Sequence, residues 1–204
     1  MQKPVAVHAW PQSMQLAVAE LRSRRAMTVI SVVTPATTNR LRARALIRTA
    51  LLETLAVFLH QPRTSITLVS HPGQAISVQV PLASLHLSVS HMPGMSVAAI
   101  ASGAAVGVDL MPVPQGIDAM TDWSHVALDY LGATATALLQ HTLPAHRPGA
   151  FAQAWTQFEA SLKCQGVALT EWTPALAHQL TTCHLSALDL PEGCRGAIAV
   201  SQRG

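Results

Sequence analysis

The sequence predicts an α+β fold built from two pseudo-symmetric halves, each with helices packed on a small antiparallel sheet. Three observations predict it: a long helix-forming segment at residues 40–60, short strand-like segments after Pro62, and a return to helical and then strand-like segments in the second part. Helices followed by strands, twice over, are typical of α+β chains. We expect a first unit at 1–103 and a second at 104–204.

The first half is assigned from residue 37 onward. Residues 40–60 contain no Gly or Pro, and Asn39 precedes them as a possible helix cap. Short segments rich in β-forming residues follow, and turn signals such as Met92-Pro93-Gly94 separate them. We expect strands at 64–70, 74–80, 85–90, 96–102 and 105–110. Because the connections are short, they are predicted to form an antiparallel meander.

The second half is predicted to begin with helices and to end with strands. Helical segments are expected at 119–131, 134–140 and 150–165, and Gly166 is the expected C-terminal cap of the last one. Strands are expected at 178–185 and 196–201.

Composition limits the class of protein. The chain has 204 residues, of which 50% are hydrophobic and 11% charged, so a buried core is expected and disorder is not. No apolar run is long enough to span a bilayer, and the start lacks the apolar core of a signal peptide, which predicts a cytoplasmic protein without a membrane partner. Three cysteines without metal-type spacing are expected to be reduced thiols.

Charge is distributed unevenly along the chain. Residues 1–63 carry nine Lys or Arg against two Glu, whereas residues 64–204 carry four basic and eight acidic residues. The basic part is suited to phosphates or to an acidic partner, and it lacks the interleaved aromatic residues that favour nucleic acid. Arg40, Arg44 and Arg48 recur every four residues, which gives either an anion-binding stripe or a solvated helix face.

Glu159 and Lys163 lie one helical turn apart and therefore on one face of the last predicted helix. The simplest interpretation is an ordinary intrahelical ion pair. Asp109 ends a predicted strand after a long uncharged stretch, where it is either a turn residue or a Mg²⁺ ligand. His91, one of ten histidines, is ambiguous by itself.

In order and spacing, these residues resemble the 4′-phosphopantetheinyl transferases of the larger single-chain type. That family is marked by an S-H element, a (V/I)-G-(V/I)-D element, and, about fifty residues later, a W-x-x-K-E-A-x-x-K-x-x-G helix. Here they correspond to Ser90-His91, residues 106–109 and residues 155–166, while residues 42–48 are similar to the family's R-x-x-L-x-R helix. The resemblance covers roughly residues 40–170.

The resemblance implies an enzyme that transfers the phosphopantetheine arm of coenzyme A to a serine of an acyl or peptidyl carrier protein and releases 3′,5′-ADP. It implies Mg²⁺ held by Asp109 and Glu159, with Glu159 taking the serine proton and Lys163 neutralising the leaving phosphate. Four further residues are implied as ligands of the coenzyme A phosphates: Arg40, Arg44, Ser90 and His91. The resemblance also implies an active site between the two halves, and two matched halves in one chain make a monomer sufficient.

Four positions depart from the family pattern. Ser88 and Met92 stand where the family's N-x-S-H-S element has Asn and Ser. Met111 stands where a second acid is common, and Phe158 stands where Lys usually precedes the catalytic Glu. We expect the missing lysine to cost a phosphate contact of about 1.5 to 3 kcal/mol. Two alternatives remain open: a descendant that binds coenzyme A or a carrier protein without efficient transfer, and an unrelated α+β domain whose basic helix binds an acidic partner.

Overall fold

The fold was obtained as a computed structural model, which describes residues 3–24, 26–70, 76–79, 84–115 and 122–202. It confirms the predicted α+β class. The helices are α1 (Met14–Leu21), α2 (Arg40–Leu59), α3 (Trp123–His141), α4 (Arg147–Gln165) and α5 (Pro174–Leu180). The strands are β1 (His8–Ala9), β2 (Met27–Val33), β3 (Thr67–Val69), β4 (Ser77–Gln79), β5 (Leu85–Met92), β6 (Met95–Ser102), β7 (Val106–Pro112), β8 (Cys183–Ala187) and β9 (Cys194–Ser201).

The two helices that line the site have well-formed ends. The Asn39 side chain accepts a hydrogen bond from the Arg42 N–H at 2.9 Å, which caps the start of α2 as predicted. Helix α4 ends at Gly166, whose left-handed backbone (φ 65°) is the expected C-terminal cap.

The two main sheets share one topology. In the first, β2 pairs antiparallel with β6, and β6 pairs antiparallel with β5. In the second, β7 pairs antiparallel with β9, and β9 pairs antiparallel with β8. The first sheet carries in addition β1, which pairs parallel with β2 at its edge. Apart from β1, the first strand of each sheet pairs with the last, and the last pairs with the one before it. This shared strand order agrees with the expected internal repeat.

Helices α1 and α2, the two main sheets and helix α4 form four stacked layers, and the core lies between them. One face of the first sheet packs on α1 and α2 through residues such as Ile30, Ile100 and Leu51. Its other face packs on the second sheet, where Val97 meets Val108 in a shared apolar cluster. Helix α4 covers the far side of the second sheet. Because β6 is buried on both faces, its residues 97–101 form a continuous apolar run and do not alternate with polar residues.

Serine hydroxyls join the two halves where β5 runs beside β7. The Val108 N–H donates to Ser88 Oγ at 3.0 Å, and the Leu110 N–H donates to Ser90 Oγ at 3.3 Å. These two hydroxyls satisfy buried backbone donors of β7, which is the edge strand of its sheet. Val5 also crosses between the halves, since its N–H donates to the Ala187 carbonyl. The assignment of 1–103 and 104–204 as separate domains stays a prediction.

The predicted meander was wrong. Strands β3 and β4 form their own two-stranded sheet, and β7 pairs with β9 and not with β6. Between β6 and β7 the chain passes through Gly103, which has a positive φ of 74°, and moves to the second sheet. A short connection was taken as a hairpin, but it is the link between the two halves.

Several element boundaries also differ from the prediction. The helices expected at 119–131 and 134–140 are one element, α3, kinked at Gly132, and residues 119–121 lie outside the described residues. Residues 178–180 end α5, which Pro174 starts, so the expected strand begins only at Cys183. The strand expected at 64–70 is shortened by a 3₁₀ turn at Arg63–Ser65. Of the segment expected at 74–80, residues 74, 75 and 80 lie outside the described residues.

No element was predicted before residue 37, where the structure has β1, α1 and β2. The strand β2 has the sequence MTVISVV, whose β-branched residues indicate a strand.

Candidate functional site

A cleft of about 1300 Å³ lies between the two halves. Helix α2 and strand β5 line it from the first half, and β7 and α4 line it from the second. Every candidate site residue from the sequence is on its wall: Arg40, Arg44, Ser90, His91, Asp109, Glu159 and Lys163. Residues separated by more than a hundred positions in the chain thus meet in one cavity.

Asp109 is buried in the middle of β7, which continues to Pro112, and is not at a strand end as expected. Its Oδ1 accepts hydrogen bonds from Ser90 Oγ at 2.8 Å and from Lys163 Nζ at 2.6 Å. The single hydroxyl hydrogen of Ser90 is therefore used on Asp109, and its oxygen accepts the Leu110 N–H. Ser90, expected to bind phosphate, instead orients the Asp109 carboxylate.

Glu159 faces the cleft from α4. Its Oε1 accepts a hydrogen bond from Trp155 Nε1 at 3.0 Å. Burial, followed by the negative charge of Asp109, raises the pKa of the Glu159 carboxyl. A carboxylate with a raised pKa is a stronger base, and two neighbouring carboxylates form a site that attracts cations.

Lys163 reaches from α4 to β7. Besides its contact with Asp109, Nζ donates to the Val108 carbonyl at 3.2 Å and lies 3.7 Å from Glu159 Oε2. The contact of Lys163 with Glu159, within α4, is thus the longer of its two carboxylate contacts. The shorter one, with Asp109, joins α4 to β7. Lys163 was expected to face phosphate, but here it faces Asp109.

The arginine stripe of α2 forms the opposite wall. Arg48 donates to Ser70 Oγ and to the Leu68 carbonyl, both at 2.7 Å, and so holds β3 against α2. Within the described residues, no hydrogen bond or ion pair occupies the guanidinium groups of Arg40 and Arg44, which are exposed. These two guanidiniums are free to bind an anionic ligand.

His91 lies between the arginines and Lys163, and its Nδ1 is 2.7 Å from Ser96 Oγ. Burial lowers the pKa of His91 from 6.5 to about 4, and the positive charges of Arg44, Arg40 and Lys163 act in the same direction. His91 is therefore a neutral ring at pH 7, able to donate one hydrogen bond but adding no charge.

The lowered pKa of His91 predicts a loss of stability in acid. Because its folded pKa of about 4 is below the unfolded 6.5, the unfolded state binds more protons between these values, and the free energy of unfolding falls as the pH drops from 6.5 to 4. Urea unfolding at several pH values should show a smaller fall for His91→Gln than for the natural protein. If the free energy of unfolding falls equally for both proteins between pH 6.5 and 4, His91 does not cause the loss of stability.

Gly107 brings α4 close to β7. A Cβ at this position would lie 1.9 Å from the Ala160 carbonyl oxygen and 2.5 Å from the Cys164 nitrogen, both backbone atoms of α4. Only glycine permits this approach. Ala160 and Cys164 directly follow Glu159 and Lys163 in α4, so this contact sets the distance of both side chains from Asp109.

Phe158 stands where a lysine was expected to contact phosphate, but this position does not line the cleft. Its buried ring packs on Leu162 and Leu176 and contacts Trp155 edge to face. A lysine at this position would lie in an apolar cluster. The expectation that the missing lysine costs the site a phosphate contact is therefore corrected. Met111, in contrast, lines the cleft two residues after Asp109, and a thioether is a poor Mg²⁺ ligand.

The donor set fits a hard divalent cation that is shared with a ligand. Among the described residues, no group of three or more His, Cys, Asp or Glu side chains is arranged to hold a metal ion. Asp109 and Glu159 supply two carboxylates, and Mg²⁺ is usually bound by one or two carboxylates together with substrate phosphates and water. Burial raises the pKa of Glu159, the negative charge of Asp109 raises it further, and such a cation would relieve this repulsion.

Sequence reasoning missed the residues that hold this site in place. Ser88 joins the halves, Gly107 admits α4, and Trp155 orients Glu159. Gly107 and Trp155 belong to the quoted motifs, which was the available signal. Ser88 stands out only as a departure from the N-x-S-H-S element, because its role depends on the unpaired edge of β7.

Comparison of the chain with protein-family models finds no match, and neither does comparison with curated proteins. No helix in the described part of the chain combines the length and apolar character needed to cross a membrane.

Proposed function

We propose that the cleft binds coenzyme A with Mg²⁺ and transfers its 4′-phosphopantetheine arm to a serine of an acyl or peptidyl carrier protein, releasing 3′,5′-ADP. The observation that carries the proposal is the meeting, across one cleft, of two carboxylates and a lysine on one wall with unpaired arginines on the other. Such a division of charge suits a pyrophosphate that needs both a metal and cationic partners.

The size and lining of the cleft support a large polyanionic substrate. Its volume of about 1300 Å³ exceeds the usual range of small-ligand pockets, roughly 300 to 1000 Å³. Arg40 and Arg44 would bind phosphate groups through charge-assisted hydrogen bonds, and the neutral ring of His91 would donate a further one. Ile47, Ile76 and Val89 provide apolar surface in the same cavity.

The chain's own residues have defined tasks in the transfer. Glu159 would take the proton of the carrier serine as its oxygen bonds to the phosphorus that bears pantetheine. The bond from that phosphorus to the bridging oxygen breaks, and Lys163 would neutralise the negative charge on the departing 3′,5′-ADP. Ser90 and Trp155 keep the two carboxylates oriented. Proton transfer to a positioned base typically contributes 10² to 10⁴ in rate.

Asp109 and Glu159 would hold the Mg²⁺. When bound, it would neutralise the charge that develops on the pyrophosphate during transfer.

A first test measures coenzyme A binding by calorimetry with and without Mg²⁺. We expect Mg²⁺-dependent binding, and we expect Arg44→Ala to weaken it by about ten- to a hundredfold, the value of a charged hydrogen bond. Arg42→Ala is the matched control, because Arg42 is exposed on α2 but does not line the cleft. Equal effects of the two substitutions, or no Mg²⁺-dependent binding, would reject the proposed cleft.

A further inference from the structure

Lys163 lies between the two carboxylates that we assign to the metal. Its ammonium is 2.6 Å from Asp109 Oδ1 and 3.7 Å from Glu159 Oε2, and it also donates to the Val108 carbonyl. About a third of the Lys163 side chain is exposed, so its ammonium end has room to move into the cleft. The ammonium therefore contacts both groups that a divalent cation needs.

The two carboxylates require a positive partner. Asp109 is buried, Glu159 is half-buried, and the negative charge of Asp109 disfavours that of Glu159. Within the described residues, Lys163 is the cation that forms an ion pair with either of them. Its single charge leaves the group of three at a net charge of −1.

We propose that Lys163 is a displaceable internal counter-ion. It holds the carboxylate pair together when no ligand is bound, and it moves from Asp109 to the phosphates of the ligand when a divalent cation binds. The inference rests on the proposed function. Because the anion receives the displaced ammonium, metal and anion each favour binding of the other, and without the anion the metal binds weakly.

The choice of lysine supports displacement. The chain has two lysines, Lys3 and Lys163, against eleven arginines. A guanidinium here would bind a carboxylate through two parallel hydrogen bonds, whereas an ammonium is a compact charge on a flexible stem that exchanges partners easily. A cation that must leave Asp109 in each cycle is better served by lysine.

Manganese binding tests the inference without any substrate. Free Mn²⁺ is measured by electron paramagnetic resonance in the presence of the natural protein, Lys163→Met and Lys3→Met. Methionine keeps the length of the stem but removes the charge. We expect Lys163→Met to bind Mn²⁺ about ten- to a hundredfold more tightly, because no charged hydrogen bond has to be broken. Lys3→Met should match the natural protein.

The opposite result is equally clear. If folded Lys163→Met binds Mn²⁺ no more tightly than the natural protein, the ammonium does not compete with the cation and the inference is wrong. Circular dichroism shows whether the variant is folded without metal. If it is not, Lys163→Gln, which keeps a hydrogen-bond donor but no charge, must show the tighter binding instead.

These outcomes separate the inference from the proposed function. Tighter Mn²⁺ binding by Lys163→Met, together with no coenzyme A binding by the natural protein, keeps the counter-ion and rejects the transferase. If the natural protein binds coenzyme A in a Mg²⁺-dependent way but Lys163→Met binds Mn²⁺ with unchanged affinity, the counter-ion role is rejected and the proposed coenzyme A site is kept.

Discussion

Replacing Glu159 by glutamine is expected to lower the rate of phosphopantetheine transfer by about 10² to 10⁴ while leaving the fold intact. Glutamine has the same shape, and its side-chain oxygen can still accept the hydrogen bond that Trp155 Nε1 donates to Glu159. What is lost is the negative charge, and with it both the proposed base for the serine proton and one of the two proposed metal ligands. Single-turnover transfer to a carrier protein, followed by mass spectrometry, measures the effect.

Glu171→Gln is the matched control for this change. Glu171 is exposed and does not line the cleft, so the same loss of charge should leave the rate unchanged. Transfer by Glu159→Gln within threefold of the natural rate would mean that Glu159 is neither base nor metal ligand.

Replacing Gly107 by alanine is expected to destabilise the fold by about 3 kcal/mol, the upper end of the usual range for overpacking. The added methyl group would meet the backbone of α4 at Ala160 and Cys164, and backbone atoms cannot move aside as a flexible side chain can. For a chain of this size the melting temperature should fall by roughly 6 to 12 °C. Because α4 must shift, Glu159 should also move relative to Asp109, and transfer should slow.

Gly149→Ala provides the control on the same helix. A Cβ there meets nothing closer than Arg195 Nη2 at 3.5 Å, an ordinary van der Waals distance. Because alanine favours helix, this change should be neutral or stabilising by up to about 1 kcal/mol. Equal melting temperatures for Gly107→Ala and the natural protein would show that α4 does not depend on the close contact at β7.

Local sequence signals were sufficient for the parts of the fold that depend on local chemistry. Asn39 and Gly166 mark the ends of α2 and α4, where one side chain or one backbone conformation decides the boundary. The hairpin of β5 and β6 follows from Pro93-Gly94 in the same way. The residues of the site were found because their spacing resembles a known motif.

Contacts between distant elements were beyond this kind of reasoning. Whether β7 pairs with β6 or with β9 depends on how two sheets stack, and no short segment encodes that. Phe158 could be placed toward or away from the cleft only once the neighbouring helices were known. The shorter ion pair of Lys163 joins residues 54 positions apart, whereas the sequence indicates only its helical neighbour Glu159.

The most direct test of the proposed transferase activity is to mix the protein with coenzyme A, Mg²⁺ and a panel of apo carrier proteins, and to analyse the carriers by mass spectrometry. We predict that at least one carrier gains the mass of phosphopantetheine on a serine, only when Mg²⁺ is present, and that 3′,5′-ADP appears in equal amount. Coenzyme A bound in the cleft without transfer to any carrier would contradict the account and favour a protein that binds without catalysing.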